Sequence, residues 1–461
     1  MEAGGAPSAF ISFANVSDYI APSQACVVPL AQQEKDEKPV QVTLNDCLAC
    51  SGCITSAESV LISQQSRDEF LATLAENDPE RKKFCAVSIS PASAANIATR
   101  NGWTLEQAYR KLACFFRKTL GVDRVFSCDS AQEIALIECQ NEAIARLQPR
   151  LNGTTDAADH LPLITGTCPG FVCYLEKVHP QLLPHLLTSP SLQATQGLLV
   201  KRVWAPRHSV RPASIYHVVL ESCYDRKIEA LRFPKSKSED PNLTAAPVDC
   251  VLTTNEIQQL AESRGGWAEE ADLDPISDQH PNSRPRGLPQ HSGGYVQAVL
   301  RALGVSLGIP NAESQWTEGA AVQLARRENP DCREFTLTVP GKAPVTFASV
   351  FGFRNLQNLI RKIKTGKCPY LFIEAEACPG GCLGGGGQVP GSTPAAMLAT
   401  LSSGTDLAWP ADEELHRALL EALGPDYASA RAGLHNSYQE RGADNAPLAT
   451  GVGINPSTLR W

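Results

Sequence analysis

The sequence predicts an α/β fold with a small cysteine-bearing module in front of it, and three observations carry that prediction. From Phe84 onward, short apolar strand-like runs alternate with amphipathic helical tracts. Three of the later runs are nearly continuous in apolar residues, as suits strands of a parallel sheet buried on both faces. Each of the three leads directly into a cysteine: 161–165 before Cys168, 215–220 before Cys223 and 370–375 before Cys378.

The elements follow in order. The first eighty-odd residues hold Cys47, Cys50 and Cys53, the charged run Gln33-Glu34-Lys35-Asp36-Glu37-Lys38, and a helix-like tract around 68–75. Ala86-Val87-Ser88-Ile89-Ser90 reads as a strand. Thr104, with Gln107 three residues on, is a capping-box signature, and Leu105, Ala108, Leu112 and Phe116 follow at helical spacing. A strand at 122–126 and a helix at 131–147 come next. A strand and helix at 248–262 interrupt a Pro-, Ser- and acid-rich stretch between Pro234 and Gly294, whose remainder reads as a solvated insertion. Helices are expected at 292–303, 355–364 and 411–423. No repeat of solenoid period is present.

Composition narrows the function. A chain of 461 residues that is 43% hydrophobic can bury a large core and suits two or three folding units. A formal net charge of −8 argues against a nucleic-acid surface, which needs clustered Lys and Arg. No apolar run approaches the length of a membrane span. Sixteen cysteines are too few for a disulfide scaffold, and the start Met1-Glu2-Ala3-Gly4-Gly5-Ala6-Pro7 has neither the basic nor the apolar part of a secretory signal. A reducing compartment is expected, where free thiols serve as ligands. The nine histidines show no zinc-protease or C2H2 spacing.

The C-x2-C-x2-C of Cys47, Cys50 and Cys53 places three sulfurs at one metal centre, like the opening of a bacterial ferredoxin run. The closing x3-C-P is missing, so a fourth ligand comes from elsewhere; Cys26 is the nearest upstream. The spacing is specific for metal without naming it, and a structural zinc knot fits it too. Downstream, Thr165-Gly166-Thr167-Cys168-Pro169-Gly170, Ser222-Cys223-Tyr224-Asp225-Arg226 and Glu376-Ala377-Cys378-Pro379-Gly380-Gly381-Cys382 supply four more thiols beside Gly- and Pro-rich turns. Gly384 to Gly387 extend such a close-approach loop and lack the Lys-Ser/Thr of a P-loop. In open α/β sheets ligands gather at strand carboxyl ends, so these distant cysteines are expected to converge. The other eight (Cys85, Cys114, Cys128, Cys139, Cys173, Cys250, Cys332 and Cys368) read as core residues, with Cys173 and Cys368 as alternative ligands.

These three segments resemble the cysteine signatures of iron-only hydrogenases, and more closely those of their non-hydrogenase relatives, the cytosolic iron–sulfur assembly factors of the iron-only hydrogenase-like, or nuclear-architecture-related, family. The resemblance runs from Phe13 in Ser12-Phe13-Ala14-Asn15 to Trp461 and includes Val87-Ser88-Ile89-Ser90-Pro91. It implies a two-lobed hydrogenase-like core with parallel sheets flanked by helices, divided as an N-terminal module (1–84), a first lobe (85–233), a strand-helix unit with the insertion (234–294) and a second lobe with the tail (295–461). It implies two [4Fe-4S] clusters, one held by Cys26, Cys47, Cys50 and Cys53, the other by Cys168, Cys223, Cys378 and Cys382.

Three positions depart from the hydrogenase pattern. Thr167 stands where the proton-shuttle cysteine would be, and its hydroxyl is a far weaker acid than a thiol. Arg226 replaces a lysine, and Glu376 replaces a methionine that would line the diiron pocket. Together they argue for a non-enzymatic assembly factor with no catalytic residue and against the alternative of a true hydrogenase; a ferredoxin-type electron carrier stands as a further alternative that they do not address. The resemblance further implies partners: P-loop scaffold ATPases, the cytosolic targeting complex with its WD40-propeller subunit, and apo iron–sulfur clients, with neither direct nucleic-acid nor membrane contact. The expected location is cytoplasmic, with the nucleus open as a second compartment. Leu459-Arg460-Trp461 resembles the docking tail for the targeting complex at its outer positions and departs from it at Arg460.

Overall fold

The computed structural model describes Ile62 and residues 65–76, 82–151, 160–232, 241–267, 271, 293–307, 322–325, 329–338, 344–402 and 413–439. Cys26, Cys47, Cys50 and Cys53, the 33–38 charged run, most of the insertion and the 459–461 tail lie outside the described residues.

Among the described residues, nine strands build two sheets. The first is wholly parallel and runs β2 (Arg124–Ser127), β1 (Phe84–Ile89), β4 (Ile215–Glu221), β5 (Cys250–Thr253). The second runs β3 (Leu163–Ile164), β9 (Tyr370–Glu376), β8 (Val345–Phe351), β7 (Cys332–Leu337), β6 (Val322–Ala325). In it β3, β9 and β8 are parallel, while β7 and β6 are antiparallel. All seven residues of β4 are buried, as are all but one of β9, which accounts for their apolar composition. The first sheet takes β5 from the 234–294 segment, and the second takes β3 from the 85–233 segment.

Local chemistry explains the connections. β1 ends at Ser90, whose hydroxyl accepts the Ser93 amide to cap the helix Pro91–Asn101; Pro91 sits at its first position and Gly102 closes it in the left-handed region. Thr104 and Gln107 form the expected capping box on Leu105–Cys114. β3 is shorter than the apolar run predicts because Pro162 has no amide hydrogen for the ladder. Beyond it, the Thr165 amide still reaches the Ile373 carbonyl, and the Thr165 hydroxyl accepts the Ala375 amide at 3.0 Å. The ribbon β6–β7–β8 was not anticipated, since β7 is only half-buried and shows no clean alternation.

Each sheet has its own core. Phe70, Phe115, Phe116, Leu112 and Leu220 pack beside the first. Leu147, Val299, Phe335, Phe347 and Phe372 pack in the second, between it and the helices Asp129–Leu151 and Tyr295–Ser306. Burying each such side chain contributes about 1.5–3 kcal/mol. The two sheets meet with β4 and β9 presenting their carboxyl ends toward a common region.

Candidate metal centre

Each cysteine of the downstream group sits just past a parallel strand. Cys168 is the N-cap of the helix Pro169–Val178, Cys223 follows β4 by two residues, Cys378 follows β9 by two, and Cys382 lies in the tight turn Gly381–Gly384. The structure brings them into one electrostatic neighbourhood: Cys223 feels the charge of Cys378 and Cys382, and Cys382 that of Cys168. None forms a disulfide.

The loops carrying these thiols are bolted to one another through backbone. The Gly387 amide donates to the Ser222 carbonyl at 2.9 Å, and the Asn255 amide to the Gly387 carbonyl at 2.9 Å. A Cβ on Gly385 would stand 2.3 Å from the Ser222 carbonyl oxygen, and one on Gly384 1.8 Å from that of Pro379. Close approach thus explains Gly384 and Gly385, and what approaches is the protein's own chain beside Cys223 and Cys378. Gly170 likewise leaves room for Asp225, whose carboxylate oxygen would lie 2.5 Å from a Cβ there.

Burial sets the electrostatics. It pushes the Cys168 thiol up to about 11, against the pull of the Ala377 and Phe171 amides, the former 3.4 Å from its Sγ. It raises Cys223 well above the ordinary range, helped by Asp225 and Cys378, and Cys382 likewise, helped by Glu376. Thiols that burial and mutual repulsion hold protonated need a compensating cation to ionise together, so this donor set fits a thiolate-bound metal centre. Among the described residues no three or more His, Cys, Asp and Glu side chains cluster tightly enough for a single metal ion. Ligands of a four-iron cluster each take a different iron and stand farther apart.

The three departures share one cavity. Thr167, Arg226 and Glu376 line it with Cys168, Cys382, Glu221, Gln132 and Tyr295. The Arg226 guanidinium is buried and paired with Glu229 at 2.5 Å. The Glu376 carboxylate accepts the Cys382 amide at 2.8 Å, so this residue orients a ligand turn. Glu221, the last residue of β4, is pushed by burial up to about 7. The sequence reading missed Glu221; the end of an apolar strand two residues before a ligand cysteine was the available signal.

The alternative ligands are committed elsewhere. Cys173 is buried with Ile228 and Ile62 and accepts from Arg232 at 3.1 Å, while Cys368, partly buried, packs against the core cluster that includes Leu359 and Ile360 of the helix Phe353–Lys364. Cys85, Cys114, Cys128, Cys139 and Cys250 are buried, and Cys332 is partly so.

Two lobes of sheet with thiols at their facing strand ends define an iron-only hydrogenase-like protein. The family model described as iron only hydrogenase large subunit, C-terminal domain, matches residues 83–386. The chain belongs to that family, within its branch of cytosolic iron–sulfur assembly factors. It is 35% identical to the cytosolic iron-sulfur assembly component 3 of Bos taurus, over 98% of this chain and 99% of that one. It is 36% identical to protein NAR1 of Arabidopsis thaliana over 82% and 83% of the two chains. A solved variant of the [FeFe]-hydrogenase HydA1 from Chlamydomonas reinhardtii, at 24% identity, shares the fold with a TM-score of 0.65, covering 81% of this chain and 99% of that one.

Proposed function

We propose that this protein is a non-enzymatic factor of cytosolic iron–sulfur assembly that holds two [4Fe-4S] clusters and helps pass assembled clusters to apo-proteins. The relatives' names support the pathway. The single observation that carries the second cluster is the meeting of Cys168, Cys223, Cys378 and Cys382 as half-buried electrostatic neighbours near strand ends. Cys26, Cys47, Cys50 and Cys53 are proposed to hold the first. Bound there, such clusters supply one-electron redox capacity and exchangeable iron and sulfide. The chain's own part is to place the thiolates, exclude water and offset charge through Arg226. Its partners are proposed to be the P-loop scaffold ATPases, the targeting complex and client apo-proteins, and its compartment the cytoplasm.

Thr167, Arg226 and Glu376 support the non-enzymatic reading. A hydroxyl, a buried ion-paired guanidinium and a carboxylate tied to the Cys382 amide line the cavity beside Cys168 and Cys382, in place of the thiol, ammonium and thioether of the hydrogenase pattern.

Anaerobic purification with iron and sulfide counting tests the proposal. About eight of each per chain are expected, falling to about four in both Cys378→Ala and Cys47→Ala. A colourless protein carrying zinc would refute it. Infrared bands from iron-bound carbon monoxide or cyanide would instead establish a hydrogenase.

A further inference from the structure

The last described segment, which the cluster reading leaves without a role, closes over the loop that carries Cys168. The helices Glu413–Leu423 and Tyr427–Leu434 pack Leu415, Leu419 and Leu434 into the core beside Trp204 and Ile215. They are pinned to the long helix Asp129–Leu151 at Glu138, fully buried, whose carboxylate meets His416 at 2.6 Å and His435 at 2.9 Å. The chain then runs alongside 187–189. The Asn436 amide donates to the Thr188 carbonyl at 2.7 Å, and the Asn436 side chain to that of Ser189 at 3.3 Å.

Tyr438 ends up against Gly166, two residues before Cys168. Its hydroxyl donates to the Leu187 carbonyl at 2.7 Å, with the Gly166 carbonyl 3.4 Å away. A Cβ on Gly166 would fall 1.9 Å from that hydroxyl oxygen, so only glycine admits the ring. Leu187 is in turn bonded to the end of β3, its amide on the Ile164 carbonyl at 2.8 Å. On the other side of Cys168, the Gln439 amide reaches Glu176 in the helix that Cys168 caps. Glu176 also holds Arg232 at 2.5 Å, in the segment following Cys223. The strap therefore grips the Cys168 loop from both flanks.

We propose that Tyr438 and its strap are a positioning element for the second cluster, fixing the Gly166–Cys168 loop so that the cluster is retained. The inference rests on the reading that Cys168, Cys223, Cys378 and Cys382 hold a cluster. Ordering the loop before the metal arrives lowers the entropy lost on binding, and losing the one hydrogen bond that anchors the Tyr438 ring to Leu187 beside the loop should speed iron loss about five-fold. By linkage, a loaded site must in turn hold the strap more tightly.

The test uses the full chain with Cys47, Cys50 and Cys53 replaced by Ala, so that remaining iron reports the second site alone. After anaerobic reconstitution, iron release to a ferrous chelator is followed by absorbance for the parent, Tyr438→Phe and Cys378→Ala, with melting temperatures of the metal-free proteins as a control on folding. Faster release from Tyr438→Phe with an unchanged metal-free melting temperature supports the proposal. Release at the parent rate overturns it. Iron retained in full by Cys378→Ala would instead overturn the underlying site, a distinguishable failure. Should Tyr438→Phe fold poorly, amide exchange in the parent decides: slower exchange at Asn436 and Tyr438 in loaded protein than in metal-free protein is expected, and equal exchange overturns the proposal.

Discussion

Glu376 shows how one side chain can change the meaning of a pocket. Read from sequence, it is a carboxylate where an apolar thioether would stand; in the structure it also accepts the Cys382 amide. Glu376→Ala should therefore lower iron retention at the second site while Glu376→Gln, which keeps a carbonyl acceptor, stays near the parent, as iron counting after gel filtration would show. Gly385 makes the same point through space. A methyl group there would press on the Ser222 carbonyl, one residue from Cys223. Gly385→Ala should cost about 1–3 kcal/mol, by the strain of an overpacked contact, and show as a lower denaturation midpoint with an unchanged slope. The glycines themselves were legible in the chain. What Gly385 approaches was not, because Ser222 reaches it only through the tertiary fold.

At the scale of elements, local signals were read well wherever the determining groups lie within a turn of one another. The Thr104 box formed as expected, and so did an unremarked second one, Thr253 with Glu256. The two carry different burdens. Thr104→Ala removes a cap at the surface and should cost about 1 kcal/mol. Glu256 also pairs with the buried Lys227 at 2.8 Å, and Lys227 in turn holds the Gln65 carbonyl, tying the stretch before the helix Arg67–Leu74 to the one after Cys223. Glu256→Ala leaves that ammonium short of a counter-charge and should cost about 3 kcal/mol. Comparing the two variants by urea unfolding checks the ratio; equal losses would show that the Lys227 pair carries no extra stability. Strands were harder. β4 and β9 announced themselves by nearly continuous apolar runs, whereas β6 to β8 form an antiparallel ribbon toward the sheet edge, whose half-buried β7 has a composition that does not distinguish strand from loop.

Across the whole molecule, buried titratable groups give stability a defined pH profile. His217 donates from Nδ1 to the Pro247 carbonyl and in its neutral form accepts from the Ser88 hydroxyl at Nε2, and burial lowers it to about 4. The unfolded chain takes up a proton near its ordinary 6.5 that the folded state refuses, so stability falls as pH drops from about 6.5 toward 4, by about 3 kcal/mol in full. Glu138 acts lower down: burial raises it, but His416 and His435 outweigh that and bring it to about 2, so its contribution is present above about 4.5 and is lost as pH falls toward 2. Glu374, raised by burial to about 8, has the opposite slope. The informative measurement is thus the difference in melting temperature between metal-free wild type and His217→Gln, expected to shift steadily between pH 7 and 4.5; a constant difference would contradict the assignment.

By itself the sequence determined the class of protein, the strands that lead into Cys168, Cys223 and Cys378, and the capped helices, because apolar periodicity, capping and cysteine spacing act over a few residues. Only the tertiary structure decided that four thiols spread over more than two hundred residues of chain share one half-buried neighbourhood, that Glu376 orients Cys382, and that Tyr438 closes on Gly166. Those contacts depend on strand order and on the path of the connections, which no local pattern encodes.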